Sequence, residues 1–524
     1  DFCLSRGLGD VYKRQLLSLL GMVAALIADK MRPGMILFSV VVLFLCAGIL
    51  TPKEMLEGFS NKGMITVALL FLVSEGIRQS GTLGQVIKKL LPQGKTTVFK
   101  AQLRILPSVA FISAFLNNTP VVVIFAPIIK HWAKSVNLPA TKFLIPLSYV
   151  TILGGICTLI GTSTNLVVHG MILEAGFEGF SMFELGKVGI FIAIAGIIYI
   201  FLFSKRLLPD ARPDTAVPDE EVEEGEKLHR VEAVLGARFP GINKKLKDFN
   251  FQRHYGAEVK EIKTRNGQRF VTNLDDVVLH EGDTLVVMAD DTFIPTWGES
   301  SVFVLLTNGN EPDTSGKKKR WFALLLLVLM IVGATVGELP VTKEMFPDIK
   351  LDMFFFVSIT TIIMAWTNLF PARKYTKYIS WDILITIACA FAISKAMVNS
   401  GVADSVAKFI IGLSDDYGPH VLLAMVFIIT NLFTELITNN AAAALAFPLA
   451  LSISAQLGVS PTPFFVVICM AASASFSTPI GYQTNLIVQG IGNYKFTDFV
   501  RIGLPLNIIT FLISVILIPL IWNF

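Results

Sequence analysis

The chain has 524 residues, of which 53% are hydrophobic and only 16% are charged. Soluble domains carry roughly 25% charged residues, so this is the composition of a protein embedded in a lipid bilayer. The formal net charge of +4 is too small to indicate nucleic-acid binding, and we expect no nucleic-acid partner.

The N-terminal stretch Asp1–Gln15 has neither an initiator Met nor the pattern of a signal peptide. It resembles translated sequencing-adapter read-through, so we set it aside as a non-native leader. The first membrane half is predicted over residues 16–207. Several apolar runs along the chain fall short of the roughly 20 residues that a straight span needs, so tilted, broken or re-entrant helices are expected.

One polar motif occurs twice, 320 residues apart. Ile160–Gly170 is IGTSTNLVVHG, and Ile480–Gly490 is IGYQTNLIVQG. In each copy a Gly opens a short polar run that contains Thr-Asn-Leu, and apolar sequence encloses the whole. We interpret each copy as a helix unwound at its glycine. The repeat predicts two related membrane halves.

A second pair of motifs carries adjacent asparagines. Asn117-Asn118 and Asn439-Asn440, 322 residues later, both lie inside apolar sequence. A buried amide without a partner is costly in a bilayer, so these side chains cannot face lipid. Pro120 also prevents a regular helix from passing through the first copy. Each motif is predicted to be a re-entrant helical hairpin with its polar tip at mid-depth.

The stretch between the two halves differs from its surroundings. Residues 208–229 are predicted to be an acidic linker, and residues 230–316 a small β-rich domain. Basic residues at Lys205-Arg206 and Lys317–Arg320 flank this insert, which places it in the cytoplasm by the positive-inside rule. The second membrane half is predicted over residues 317–524.

The polar breaks offer two kinds of chemistry. Half-helix N-termini present N–H groups and partial positive charge to an anion, while unwound carbonyls and side-chain oxygens can coordinate a bare cation such as sodium. The four motifs contain no Lys or Arg. A bound cation would therefore supply the positive charge for an anion, which is the requirement for symport. The alternative is that the polar residues only join helices by hydrogen bonds.

Glu435 lies one helical turn before Asn439 and should share its face. It relays a proton, closes a gate or braces the hairpin, and we favour bracing. The sequence contains no Walker loop, no HExxH and no CxxC. We expect no enzymatic activity and no tightly bound cofactor.

At these motifs the chain resembles the divalent anion/sodium symporter family. That family carries Ser-Asn-Thr at each hairpin tip and a GTxxN-type break in the following helix. The resemblance implies two inverted repeats, a homodimer and elevator-type movement of a transport domain. The expected fold class is therefore an all-α polytopic membrane protein of two inverted repeats with re-entrant hairpins and broken helices, plus a small α+β cytoplasmic insert.

The resemblance also implies site residues. The first sodium site would be formed by Ser113, Asn118 and Gly161, and the second by Thr438, Asn440 and Gly481. The substrate would meet residues of the tips and half-helices, namely Asn117, Asn118, Thr119, Thr162, Ser163, Asn439, Asn440, Thr484 and Asn485. The chain departs from the family pattern at both tips, where Asn replaces Ser, and at Ala441, which replaces Thr.

The insert resembles the RCK C-terminal (TrkA-C) domain, chiefly over Phe251–Ile262 and His280–Ala289. Such domains bind small ligands or ions and regulate the carrier to which they are attached. The alternative is that this copy only packs and dimerises.

We predict a multi-pass protein of the bacterial cytoplasmic membrane that couples sodium entry to uptake of a small divalent anion. Sulfate is the first candidate and a C4-dicarboxylate the second. A proton could replace sodium as the coupling ion. Alternatives of other classes are an ion channel gated by the cytoplasmic domain and a sensor that has lost transport.

Overall fold

The structure is a computed structural model, and the residues it describes are 15, 17–26, 31–92, 94, 96–210, 229–236, 238–264, 268–290, 293, 297, 302–307, 317–346, 349–412 and 418–524. The predicted leader Asp1–Gln15, apart from its last residue, lies outside these ranges. So do residues 211–228 of the predicted acidic linker.

The first membrane half is helical. Its helices are α1 (Leu17–Leu26), α2 (Pro33–Cys46), α3 (Pro52–Glu57), α4 (Lys62–Gln79), α5 (Thr82–Leu90), α6 (Val98–Ser113), α7 (Asn118–Ser135), α8 (Leu144–Gly155), α9 (Ser163–Glu174) and α10 (Gly186–Leu207).

In the part that the structure describes, the insert contains a small antiparallel sheet and a short helix. Its elements are β1 (His229–Leu235), α11 (Phe251–Tyr255), β2 (Glu258–Lys263), β3 (Arg269–Phe270), β4 (Thr284–Ala289) and β5 (Phe303–Thr307). The strand order is β3-β2-β4-β1-β5. A cluster of aromatic side chains that includes Phe239, Tyr255 and Phe303 forms its own core.

The second membrane half repeats the helical pattern of the first. Its helices are α12 (Lys317–Gly337), α13 (Pro340–Met345), α14 (Met353–Trp366), α15 (Tyr375–Tyr378), α16 (Trp381–Asn399), α17 (Val402–Gly412), α18 (Gly418–Leu436), α19 (Asn439–Leu457), α20 (Thr462–Ser473), α21 (Gln483–Gly492) and α22 (Phe496–Ile521).

Seven helical segments among the described residues are long and apolar enough to cross a membrane. The outer face of α22 is typical of them, because one apolar side chain per turn is about half exposed. This stripe consists of Leu504, Ile508, Leu512 and Ile516. Since a four-residue spacing keeps side chains on one helix face, the stripe forms a surface suited to lipid. The chain is a multi-pass membrane protein.

The last helix of each half shows that the repeats are inverted. The Tyr199 hydroxyl, near the end of α10, donates to the carbonyl of Ile502, near the start of α22, at 3.1 Å. The Trp522 indole N–H, just beyond α22, donates to Glu184, just before α10, at 3.2 Å. The two equivalent helices therefore run in opposite directions. This confirms the predicted fold class, including its hairpins and broken helices.

Helices of one half also pack against helices of the other. Helix α2 packs against α16, and α14, the counterpart of α2, packs against α4, the counterpart of α16. Neither half could bury these faces alone, so the membrane core forms only when both halves associate.

The insert is anchored to the helices that carry the polar motifs. Glu232 on β1 accepts hydrogen bonds from Lys130 on α7 at 2.9 Å and from Lys263 on β2 at 3.4 Å. Burial raises the pKa of Glu232, but the two lysines outweigh that effect and lower the pKa to about 2. Gly282 of the insert also lies against Leu486 on α21.

We expect Glu232→Gln to destabilise the insert by about 3 kcal/mol, because it leaves the lysines at 130 and 263 without their shared carboxylate. The stabilisation that the Glu232 carboxylate provides should be complete above pH 4.5, the ordinary pKa of a glutamate. It should be lost as the pH falls towards 2, because the pKa of Glu232 is depressed in the folded protein. Thermal unfolding and hydrogen exchange of β1 measure both effects.

Glu258→Gln is the matched control, since Glu258 pairs with Lys260 at the surface and both side chains are 54% exposed. Exposed pairs contribute little, so this variant should behave like the original protein. Equal stability of the two variants would contradict the anchoring role of Glu232.

Candidate functional site

The first hairpin turns between α6 and α7. Ser113, the last residue of α6, donates from Oγ to Oδ1 of Asn118, the first residue of α7, at 2.7 Å. Both side chains are buried. Pro120 fits because it lies in the first turn of α7, where its missing N–H has no helical partner to lose.

The second hairpin has the same bond. Thr434 Oγ1 donates to Oδ1 of Asn439, the first residue of α19, at 2.8 Å. Asn118 therefore corresponds to Asn439, and the prediction that placed Asn440 opposite Asn118 is wrong by one residue. Asn440 corresponds instead to Thr119. The donor five residues earlier decides the register, since either of two adjacent asparagines satisfies the sequence pattern.

In each broken helix, a threonine that was not among the predicted site residues stabilises the unwound segment. In the first copy, the Thr158 hydroxyl accepts from the N–H of Gly161 at 3.1 Å, and its carbonyl accepts from the amide of Asn165 at 2.8 Å. In the second copy, Thr478 makes the same two bonds, to Gly481 at 3.3 Å and to Asn485 at 3.1 Å. Each threonine stands three residues before the glycine of its break, and this shared spacing could have identified both residues from the sequence.

Tyr482 lies at the centre of the site. Its hydroxyl accepts a hydrogen bond from the Asn118 amide at 2.6 Å and bonds the Thr162 hydroxyl at 3.1 Å. The side chain of Asn439, on the second tip, lies near the same hydroxyl. One phenol thus bonds the first tip and the first break and lies beside the second tip. Tyr482 is not among the predicted site residues, although the two copies of the motif differ there, with Thr162 in the first and Tyr482 in the second.

Each tip also contacts the break of the opposite half. Asn440 Oδ1 accepts from the hydroxyls of Ser163 at 3.4 Å and Thr164 at 3.3 Å. Thr119 donates to Gln483 at 3.4 Å. The structure therefore brings together the predicted residues of both tips and of the first break.

Thr484 and Asn485 are held differently. Ser148 on α8 donates to Thr484 Oγ1 at 2.9 Å and to Asn485 Oδ1 at 2.6 Å. These side chains attach α21 to α8. The backbone N–H groups at the start of α21 remain the groups of this segment that can bind a ligand.

Asn117 and Ser163 face a crevice between the first tip and the helices α4 and α12. Ser74, Leu327 and Met330 lie on its other side. The described residues of its lining carry no charge. Its polar groups are the hydroxyls of Ser74 and Ser163 and the amide of Asn117, and the rest of its lining is apolar.

Glu435 braces the second break. Its carboxylate accepts from the N–H of Ser477 at 2.8 Å and from the Asn507 amide on α22 at 2.7 Å. Its backbone carbonyl accepts from the Thr478 hydroxyl at 3.0 Å. These contacts suit the bracing role that the sequence analysis favoured for Glu435 over a proton relay or a gate.

Paired hairpins and broken helices that meet at uncharged polar tips inside an inverted-repeat fold are typical of secondary transporters. The model of the citrate transporter family CitMHS matches residues 23–454 and 351–524, and the chain belongs to this family.

Individual proteins agree with this class. An uncharacterized transporter of Synechocystis sp. is 30% identical over 92% of this chain and 93% of its own. The probable sodium/sulfate cotransporter 3 of Chlamydomonas reinhardtii is 23% identical over 92% of this chain and 85% of its own. The crystal structure of the YdaH transporter of Alcanivorax borkumensis shares the fold, with a TM-score of 0.51 and 12% identity over 97% of both chains.

We expect Gly161→Ala to reduce uptake by roughly a hundredfold, because a Cβ there would strike the backbone of Gly155 and displace the first break from the tips. Gly412→Ala is the matched control, since a Cβ at Gly412 meets nothing within 4 Å. Uptake assays on both variants measure the effect. Normal uptake by Gly161→Ala would contradict the proposed close packing of the break.

Proposed function

We propose that the protein is a sodium-coupled symporter of a small divalent anion, with sulfate as the first candidate and a C4-dicarboxylate as the second. The observation that carries this proposal is the meeting of both tips and both breaks at Tyr482, in a site built from amides, hydroxyls and helix N-termini. Such a site binds an anion through N–H and O–H donors.

The coupling follows from the charge of the site. The four motifs that carry the tips and the breaks contain no Lys or Arg. A divalent anion in such surroundings lacks a counter-charge, and desolvated charges are unfavourable unless they are compensated. A sodium ion held by carbonyl and amide oxygens supplies that compensation, so the anion binds best when sodium is bound.

The size of the site favours sulfate over a dicarboxylate. Tyr482 extends its ring between the tips and reaches Asn118, where the first copy has the much smaller Thr162. The ring leaves less room than a second threonine would. Proteins named sodium/sulfate cotransporter 1 and 2, from Chlamydomonas reinhardtii, match 53% of this chain at 30% and 31% identity. Their names support the same substrate class.

The remaining parts of the proposal concern the surroundings of the site. The insert resembles a TrkA-C domain, and its contacts with α7 and α21 suit a regulatory domain that responds to a small ligand. We place the protein as a homodimer in the inner membrane of a bacterium, with the insert in the cytoplasm.

The test is sulfate uptake into proteoliposomes, with and without an inward sodium gradient, in competition with succinate. We expect sodium-dependent sulfate uptake that succinate does not inhibit. Inhibition by succinate would move the assignment to dicarboxylates. Uptake driven by a proton gradient alone would replace sodium by protons, and non-saturable flux without either gradient would favour a channel.

Two variants of Tyr482 test the roles of its hydroxyl and of its ring separately. Tyr482→Phe should lower apparent sulfate affinity by roughly tenfold, because the bonds to Asn118 and Thr162 are lost while the ring remains. Tyr482→Thr should increase succinate uptake relative to sulfate, because it enlarges the site. The control is Tyr375→Phe at an exposed ring, which should leave both activities unchanged. An unaltered sulfate-to-succinate ratio in Tyr482→Thr would remove the size argument.

A further inference from the structure

The two helices that follow the breaks, α9 and α21, have different neighbours at equivalent positions. Each contains the glycine that closes its motif, Gly170 in α9 and Gly490 in α21, 320 residues later. Gly170 lies against α4, because a Cβ on Gly63 would be only 2.9 Å from the Gly170 Cα. Gly490 lies against the insert instead, because a Cβ there would be 2.5 Å from Thr284 Oγ1 and 3.3 Å from the Gly282 carbonyl oxygen.

The helices of the site are closely packed on the side of the membrane opposite the insert. Helix α10 is long enough to cross the membrane and its end leads to the insert, so the end of α9, which precedes α10, lies on the opposite side. There α9 packs against α4, and α19 packs against α16. The Asn61 amide, just before α4, donates to Glu174, the last residue of α9, at 2.8 Å.

On its own side, the insert takes the place of this packing. Helices α21 and α7 are the equivalents of α9 and α19, but within the described residues they do not pack comparably against α16 and α4. Both contact the insert, α21 through β4 and α7 through the bond of Lys130 to Glu232 at 2.9 Å. Arg238 of the insert also lies near enough to Asp382, in the first turn of α16, to interact with it electrostatically. The insert therefore bridges α21 and α16.

The docked face of the insert combines tight packing with charge. Val234 on β1 and both Thr284 and Val286 on β4 are at most 2% exposed, and Val234 packs with the membrane helices. Glu232 on the same face has a second partner within the insert, Lys263, at 3.4 Å. The insert can thus leave the helices without leaving Glu232 unpaired. Polar interfaces between domains are typical of contacts that separate and reform.

We propose that the docked insert inhibits transport by holding the protein open on the side of the insert. In a carrier built from inverted repeats, one bundle moves against the other around a fixed site, and the halves exchange their arrangements. The opposite state therefore requires α21 to pack against α16 and α7 to pack against α4. The insert must leave α7 and α21 before this can happen. This inference rests on the proposed transport function and specifies how the insert regulates it.

A cross-link tests whether the insert must leave α21. In the double variant Thr284→Cys, Gly490→Cys, the two Cβ atoms would be 3.8 Å apart, which is the usual separation in a disulfide. Oxidation should lower sodium-driven sulfate uptake into proteoliposomes by at least about tenfold, and dithiothreitol should restore it. The two single-cysteine variants, treated alike, control for the native thiols. Mass spectrometry of the digested protein measures the yield of the disulfide.

Gly490→Ala tests the same contact in the other direction. Its Cβ would be 2.5 Å from Thr284 Oγ1 and displaces the insert from α21, so maximal uptake should rise by about fivefold or more. Gly412→Ala, which adds a methyl group in open space, is the matched control. Hydrogen exchange of α9 is a readout that needs no substrate. The cross-link should slow this exchange, because α9 then stays packed on α4, and Gly490→Ala should accelerate it.

The outcomes are distinguishable. Unchanged uptake by the fully cross-linked double variant would overturn the inference, since the insert would then move together with α21. Unchanged or reduced uptake by a folded Gly490→Ala would overturn it as well. Absence of uptake by the reduced original chain would instead refute the proposed function. The exchange of α9 then decides the inference alone, because slower exchange in the cross-linked protein supports it and unchanged exchange overturns it.

Discussion

Every polar group inside a bilayer needs a partner from the protein, and four asparagine amides impose this requirement at the centre of the fold. Asn118 and Asn439 each accept from a hydroxyl five residues earlier, and Asn165 and Asn485 each donate to a threonine carbonyl seven residues earlier. These bonds stabilise the hairpin turns and the unwound segments, which a continuous helix would not contain. The meeting of the tips and breaks depends on them.

The repeat made much of this architecture predictable. Twin motifs predicted two halves, hairpins at the asparagines and breaks at the glycines, because each polar interruption of an apolar run must be satisfied internally. The register of the second tip was not predictable from Asn439-Asn440 alone, since both residues carry the same amide. The spacing from Thr434, matched to that from Ser113, would have resolved it.

Other features depend on contacts between distant parts of the chain. Asn118 and Tyr482 are 364 residues apart, and no local pattern indicates that their side chains meet. The anchoring of the insert through Lys130 and Glu232 is likewise a tertiary contact between residues in different domains. It attaches the insert to α7 and therefore to the first hairpin. A domain that lies between the halves in sequence thus lies against the site-bearing helices in space.

Tyr482 makes the two halves unequal. A gene duplication yields identical copies, and identical copies can be exchanged or recombined without loss. Because the Tyr482 hydroxyl bonds both Asn118 and Thr162, a chain made of two first halves would lack those bonds, and one made of two second halves would crowd two rings into the same space. The halves are complementary parts, and neither could substitute for the other.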